Sequence, residues 1–110
     1  MNKKTNFLLY LIFITGCSNI VDEDSLIEKD TLKYSNNSSS PFTGEVVGKY
    51  TSGEDRVRGN YKDGKREGTW VSLHKNGKDS EKGEYVNGKR NGEWSNWYEN
   101  GILALSGKYE

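Results

Sequence analysis

The fold of this chain is decided by three blocks of sequence, which begin Gly44-Glu-Val-Val-Gly-Lys-Tyr50, Gly68-Thr-Trp-Val-Ser-Leu-His74 and Gly92-Glu-Trp-Ser-Asn-Trp-Tyr98. They align without a gap at a period of 24 residues, and their closing segments are Gly59-Asn-Tyr61, Gly83-Glu-Tyr85 and Gly107-Lys-Tyr109. Such a period is typical of stacked repeats, in which each unit buries its apolar surface against its neighbour. We therefore expect a repeat body whose role is binding or bracing.

Turn signals divide each repeat into two strands. Asp63-Gly64 and Asn87-Gly88 favour type I′ hairpins, because that turn needs positive φ at both central residues. The opposite end of each unit is marked by Ser52-Gly53, Asn76-Gly77 and Asn100-Gly101. The thirteen glycines argue against helix. The sequence predicts an all-β fold, a single-layer antiparallel β-meander built from 24-residue hairpin repeats.

Two-residue loops at both ends would fix the strand register. The expected opposite pairs are Tyr61–Arg66, Gly59–Gly68, Val57–Trp70, Leu73–Ser80, Trp70–Gly83, Gly83–Gly92 and Trp94–Gly107. Each large ring of one face then lies across a glycine of the adjacent strand, which makes room for it. That face has Tyr61, Trp70, Tyr85, Trp94, Tyr98 and Tyr109. The other face is polar except for Val71, Leu73, Trp97 and Ala104.

The first residues indicate a cellular address. Lys3 and Lys4 precede an apolar run of eight residues, 7–14, which is too short to span a bilayer but typical of an export signal. Ile14-Thr-Gly-Cys17 follows and resembles a bacterial lipobox, whose cysteine is diacylated and becomes the new N-terminus. An ordinary signal peptide with an incidental cysteine is the alternative. We expect lipidation at Cys17 and a place in the bacterial cell envelope, at the outer membrane if the source is Gram-negative, since Ser18 is not an aspartate retention signal.

The processed chain would consist of an anchor, a tether and one domain. We predict a lipoprotein signal peptide over 1–16, an acidic flexible tether over 17–30 with one helical turn near 25–29, and a repeat domain over 31–110 whose first strand is Thr31–Tyr34. Removing 1–16 leaves two more acidic than basic residues, so no positive charge favours nucleic acid. Acyl chains on Cys17 would bind the membrane.

A family resemblance covers roughly residues 30–110. The segment Gly59-Asn-Tyr-Lys-Asp-Gly-Lys-Arg-Glu-Gly-Thr-Trp70, followed by His74-Lys-Asn-Gly77 and Gly83-Glu-Tyr85, resembles the MORN-repeat variant of bacterial proteins labelled YwqK-type antitoxins. The resemblance implies a β-repeat fold and an antitoxin or immunity role against a toxin protein. A lipobox directs this chain out of the cytoplasm, where the usual antitoxin acts, so the two signals favour different partners.

The residues do not form a catalytic or metal-binding pattern. His74 is the only histidine and occupies the repeat position of Tyr50 and Tyr98, so we interpret it as a replacement for tyrosine. The chain has neither a nucleotide-binding glycine motif nor histidine and cysteine at metal-ligand spacing. We expect a protein that is not an enzyme, with no catalytic, cofactor-binding or metal-binding residues. A glycan-directed enzyme is a distant alternative.

Aromatic residues are the candidate contact residues. The tryptophan and tyrosine stripe is either the thin core of a one-layer sheet or, in part, an exposed platform for a protein or glycan. The candidate interaction surface comprises Trp97, Trp70, Trp94 and Tyr98. The leading hypothesis is a non-enzymatic, lipid-anchored binding module for an envelope protein or wall polymer. The alternative is an antitoxin or immunity-type inhibitor of a toxin.

Overall fold

A computed structural model describes residues 19–110, and within them the chain forms nine strands and one 3₁₀ turn. The predicted signal peptide and Cys17 lie outside the described residues. The strands are β1 Val21–Asp22, β2 Ile27–Lys29, β3 Leu32–Tyr34, β4 Gly44–Lys49, β5 Asp55–Lys62, β6 Lys65–Leu73, β7 Asp79–Val86, β8 Lys89–Trp97 and β9 Leu103–Tyr109. The 3₁₀ turn spans Glu23–Ser25, between β1 and β2.

One seven-stranded sheet dominates the structure. Its strand order is β9-β8-β7-β6-β5-β4-β1, so strands β4 to β9 are neighbours in space in the order in which they follow along the chain. All pairs from β4 to β9 are antiparallel, whereas β1 lies parallel to β4. Strands β2 and β3 form a separate antiparallel pair. The prediction of an all-β antiparallel meander is confirmed, and the predicted first strand exists at Leu32–Tyr34.

The tight hairpins have the predicted turn geometry. Both central residues have positive φ in each: 51° and 83° at Asp63 and Gly64, and 53° and 86° at Asn87 and Gly88. The strand pairs that flank them are Lys62–Lys65 and Val86–Lys89. The sequence signal therefore identifies these two-residue loops correctly, because few other residue pairs tolerate this conformation.

The turns at the opposite end are wider than the predicted two-residue loops. Leu73 pairs with Asp79 and not with Ser80, and the loop between them closes with a hydrogen bond from the His74 N–H to the Lys78 carbonyl. Gly77 has a φ of 90°, but Asn76 does not have positive φ, and its side chain accepts a hydrogen bond from the Lys78 N–H. A second backbone hydrogen bond runs from the Gly77 N–H to the His74 carbonyl, and the same two bonds close the loops that begin at Tyr50 and Tyr98.

Two bulges change the predicted register. The pairs Tyr61–Arg66, Trp70–Gly83 and Trp94–Gly107 are as predicted, whereas Gly59–Gly68, Val57–Trp70 and Gly83–Gly92 are wrong. Val57 lies opposite Ser72, because the register shifts within β6 between the partners of Arg58 and Asn60. A second shift lies within β8, between the partners of Lys82 and Glu84. Gly68 and Gly92 lie at the two shifts and have φ of 77° and 71°, positive values that residues of a regular β-ladder do not adopt.

The large rings lie on glycines, as predicted, and the bulges decide which glycine each ring covers. A Cβ atom built on Gly59 would lie 2.1 Å from the Trp70 indole, and one built on Gly83 would lie 2.1 Å from the Trp94 indole. The rings also contact one another edge to face in an aromatic ladder of Phe42, Tyr61, Trp70, Tyr85, Trp94 and Tyr109. Tyr98 was expected on this face, but it lies in the loop after β8 and is 59% exposed.

The N-terminal segment packs against the aromatic ladder. Val21 of β1 pairs with the fully buried Val46 of β4, and Leu26 joins the same buried cluster. This packing differs from the flexible tether expected over residues 17–30, and the strand Ile27–Lys29 lies where a helical turn was expected. The apolar residues of the segment account for the difference, because they cover the end of a core that one sheet cannot close by itself.

Replacing Gly83 with valine should destabilise the protein far more than replacing Gly107. The added side chain at Gly83 meets the Trp94 indole, whereas a Cβ on Gly107 has no neighbour within 4 Å. We expect Gly83→Val to lower the free energy of unfolding by about 1–3 kcal/mol, the usual cost of an overpacked site. Gly107→Val should change it by about 0.5 kcal/mol or less, as surface substitutions do. Urea unfolding of both variants measures the difference, and equal losses would contradict the ring-on-glycine packing.

Candidate functional site

A shallow groove lies on the face of the sheet opposite the aromatic ladder, which we call the second face. Strand pairing brings its residues together: Thr69 lies opposite Glu84, and Lys82 lies opposite Ser95. The groove has a volume of about 270 Å³ and also contacts Glu93 and Trp97. The prediction that Trp97 lies on a polar face, opposite the aromatic stripe, agrees with this arrangement.

Trp97 borders three concavities of the structure. Besides the groove, it contacts a hollow of about 550 Å³ with His74, Tyr98, Glu99 and Asn100. A further hollow of about 380 Å³ lies towards Lys78 and Asp79. Trp97 is half-buried, so part of the indole remains open to solvent. The indole is therefore the one large aromatic side chain, among residues 19–110, that borders the groove.

The charges of the groove have no oppositely charged partner within residues 19–110. Among the described residues, neither Glu84, Glu93 nor Lys82 has an oppositely charged group within 4.0 Å. Elsewhere the sheet does pair its charges, as in the contact of 2.8 Å between Arg90 and Glu81. The groove thus combines an aromatic surface with hydrogen-bonding groups and free charges of both signs, an arrangement suited to a polar ligand surface.

His74 supports the loop that follows the groove. Its Nε2 lies 2.8 Å from the Trp97 carbonyl, and since a carbonyl only accepts, the Nε2–H must donate. Tyr50, 24 residues earlier in the chain, makes the corresponding contact, in which its hydroxyl donates to the Leu73 carbonyl at 2.7 Å. The histidine therefore substitutes for a tyrosine in a structural contact, in agreement with the sequence interpretation.

The four candidate contact residues separate into two groups. Trp70 and Trp94 retain 3% and 4% of their surface, and their indole N–H groups donate to the carbonyls of Asn60 and Glu84. Neither ring offers a face to a partner in this structure, so both belong to the core rather than to an interaction surface. Trp97 and Tyr98 are accessible and neighbour the same hollow. The candidate surface consequently centres on these two residues.

A second polar cluster, not found from the sequence, surrounds Arg66. Its guanidinium lies 4.3 Å from the Trp70 ring centroid, donates to the Tyr85 hydroxyl at 3.1 Å and reaches the Glu23 carboxylate at 3.3 Å. The Tyr61 hydroxyl donates to the same carboxylate at 3.2 Å. The cluster ties the N-terminal 3₁₀ turn to the ladder. Nothing in the sequence pairs Glu23 with Arg66 across 43 positions, so pattern analysis could not find it.

The Arg66 cluster is a structural clamp rather than a reactive site. Arg90 repeats half of the arrangement, with its guanidinium 4.1 Å from the Trp94 centroid and an ion pair to Glu81.

Residues 19–110 contain no group of three or more histidine, cysteine, aspartate or glutamate side chains placed to bind a metal ion. In the same part of the chain, no helix is long and apolar enough to cross a bilayer.

Comparison with known proteins does not identify a family. No protein-family model, no curated protein and no solved structure matches this chain. The arguments about function therefore rest on the residues and on the geometry described above.

Stability should fall at alkaline pH, and Tyr61 should account for part of the fall. Burial raises the pKa of Tyr61, the Glu23 carboxylate adds to the rise, and Arg66 opposes it. A tyrosine in the unfolded chain releases its proton near pH 10, whereas folded Tyr61 keeps it, so unfolding is increasingly favoured above about pH 10. Tyr61→Phe should reduce this pH dependence.

The measurement is the urea midpoint at about pH 8 and about pH 11, on either side of the ordinary tyrosine pKa. The matched control is Tyr98→Phe, which removes the hydroxyl of an exposed ring. The control should keep the alkaline loss of the unmodified protein. If both variants change the loss equally, the buried environment of Tyr61 is not its source.

Proposed function

We propose that this protein is a non-enzymatic binding module, attached to a bacterial envelope membrane by lipid on Cys17, whose second face around Trp97 contacts an envelope protein or wall polymer. The observation that supports it most is the position of Trp97, at the border of three concavities and beside charges that have no partner in the described residues. Tryptophan residues in such positions are frequent hot spots of binding.

The construction of the sheet supports the choice of this face. The aromatic ladder is already covered, because its rings lie on glycines and its N-terminal end is closed by Val21, Leu26 and Glu23. Within residues 19–110 no segment covers the second face, which combines the apolar Val71, Leu73 and Trp97 with polar and charged residues. A ligand with both apolar and hydrogen-bonding groups, such as a peptide segment or a glycan chain, fits that composition.

Repetition of the hairpin unit is part of the proposal. The loops beginning at Tyr50, His74 and Tyr98 are closed by the same pair of hydrogen bonds, and these three residues are spaced by 24 positions. That agreement favours hairpin units of 24 residues, whereas their MORN-like character and the resemblance to the YwqK-type group are proposed from the sequence. Repeat sheets of this kind present extended surfaces and need no reactive side chains.

The lipid anchor would hold the sheet close to the membrane. Val21 already belongs to β1, so only residues 18–20 separate Cys17 from the sheet. Extended chain spans at most about 3.6 Å per residue, which limits the gap between Cys17 and Val21 to about 14 Å. The partner should accordingly lie at the membrane surface or reach it.

Lipidation should depend on Cys17 alone. The full chain expressed in a bacterium should incorporate radioactive palmitate and enter the detergent phase, and Cys17→Ala should abolish both, because the acyl chains attach to that thiol. Ser18→Ala is the matched control and should label normally. Labelling that survives in Cys17→Ala would exclude the lipoprotein assignment.

The binding face is tested by capture of partners from whole envelopes. The full chain should crosslink to an envelope protein or to wall polymer, and Trp97→Ala should reduce the captured amount by about tenfold or more, as the loss of a hot spot does. Val86→Ala is the control, since it trims an apolar side chain that is 49% exposed at the other end of the sheet. Capture no better than that of the anchor segment alone would refute the proposal, and equal capture by both variants would exclude Trp97 as the contact.

The antitoxin hypothesis is distinguished by the identity of the captured partner. The resemblance to YwqK-type proteins favours it, whereas the lipobox favours a resident envelope partner. A toxin among the captured proteins, neutralised by the wild type in a growth assay, would replace the envelope-partner proposal with the immunity one.

A further inference from the structure

The outer strand β9 is an exposed edge of the described sheet. All of its residues, Leu103–Tyr109, are exposed, including Leu105 at 68% and Tyr109 at 45%. Its inner side is paired to β8 except at Ala104, where the register shifts between the pairs Leu103–Trp97 and Leu105–Asn96. The outward N–H and C=O groups of residues 105–109, beyond this bulge, face solvent. Exposed edges are prone to accept another strand unless they are blocked.

Gly107 on this strand has the same environment as Gly83 on one side only. Trp94 lies directly opposite it on β8, just as Trp70 lies opposite Gly83 on β7. Gly59 and Gly83 are in addition covered from their other side, by the indoles of Trp70 and Trp94 respectively. A Cβ on Gly107 would meet nothing within 4 Å. The interior of the sheet thus shows what is missing at this edge: a strand with a large apolar side chain opposite Gly107.

The opposite edge of the sheet cannot accept a strand in the same way. There β4 is already paired with β1, which is only two residues long and parallel. The 3₁₀ turn Glu23–Ser25 follows at once and is fixed by the contacts of Glu23 with Tyr61 and Arg66. The two edges differ, so head-to-tail stacking of chains is disfavoured and pairing through β9 would close as a two-fold dimer.

The sequence of β9 complements itself in one antiparallel register. With Ser106 opposite Ser106 of the second copy, Leu105 lies opposite Gly107 in both directions, and the large side chain fills the place above the bare glycine. Lys108 then lies opposite Ala104, so like charges do not meet. A register centred on Lys108 would place two lysines directly opposite each other, which is destabilising. A register centred on Gly107 would leave the two glycines facing each other.

We propose that two copies of this chain associate through β9, as an antiparallel strand pair whose two-fold axis passes beside Ser106. The pair would join the two sheets into one continuous sheet. A single strand pair buries less area than the roughly 800 Å² per partner of a standard interface, so the dimer should be weak and concentration-dependent. Attachment to the same membrane would raise the effective concentration of the copies.

Disulfide crosslinking tests the register. The full chain, purified in mild detergent with Cys17→Ser so that the introduced thiol is the only one, is compared as Ser106→Cys and Lys108→Cys. Directly opposite residues are close enough for a disulfide, whereas the two copies of Lys108 would be four positions apart along the strands. Ser106→Cys should form a covalent dimer on mild oxidation, and Lys108→Cys should remain at the background of the parent chain.

Sedimentation of the full chain over a range of concentrations tests the association itself. The wild type should shift from monomer towards dimer, and Leu105→Lys should weaken the dimer at least tenfold, because it replaces the apolar side chain that would cover Gly107 of the second copy with a charged one. Val86→Lys adds the same charge at an exposed position outside β9 and should leave the dimer unchanged.

Three outcomes would overturn the proposal. The first is a monomer at every concentration together with equal crosslinking of Ser106→Cys and Lys108→Cys. The second is a dimer that Leu105→Lys does not weaken, which would place the interface elsewhere. The third is a chain that stays monomeric but binds, at β9, a strand of another protein, which would make that protein the occupant.

Discussion

Contact between an indole ring and a bare glycine backbone is the interaction on which the rest of the structure depends. A one-layer sheet has no second layer against which to bury its side chains, so the apolar core must lie flat on the sheet itself. Gly59 and Gly83 make this possible, because their missing side chains leave space for Trp70 and Trp94. The edge-to-face contacts between the rings then join the separate hairpins into one ladder.

Local features of the fold could be predicted from the sequence, and features that depend on backbone irregularity could not. The Asp63-Gly64 turn needs positive φ at two adjacent residues, which few sequences allow, so its position is visible in the sequence. The bulges at Gly68 and Gly92 also use positive φ, but a glycine in a strand signals either a bulge or a ring contact. The prediction assumed a regular ladder without bulges, which placed Val57 opposite Trp70. In the structure the Trp70 indole covers Gly59 instead.

The N-terminal segment could not be predicted because its contacts join distant residues. The polar, acidic composition of residues 17–30 is typical of a tether. Only the structure shows that one of the acidic residues, Glu23, accepts hydrogen bonds from Arg66 and Tyr61. The cation stacks on Trp70, and its carboxylate partner holds the 3₁₀ turn over the ladder. For the candidate site, the sequence placed Trp97 on the polar face, but it could not distinguish the buried Trp70 and Trp94 from an accessible aromatic residue.

The position of Trp97 connects the two proposed surfaces. Leu73 lies 24 residues earlier and is buried, whereas Trp97 at the corresponding place in β8 is partly open in the described sheet, where one strand, β9, lies beyond β8. Leu103 of β9 pairs directly with Trp97, so a second copy bound to β9 would extend the second face beyond this residue. Two Trp97 side chains would then lie on the same side of one continuous sheet. A repetitive ligand such as a polymer could contact both, and its binding would gain from the two linked sites without any further contact.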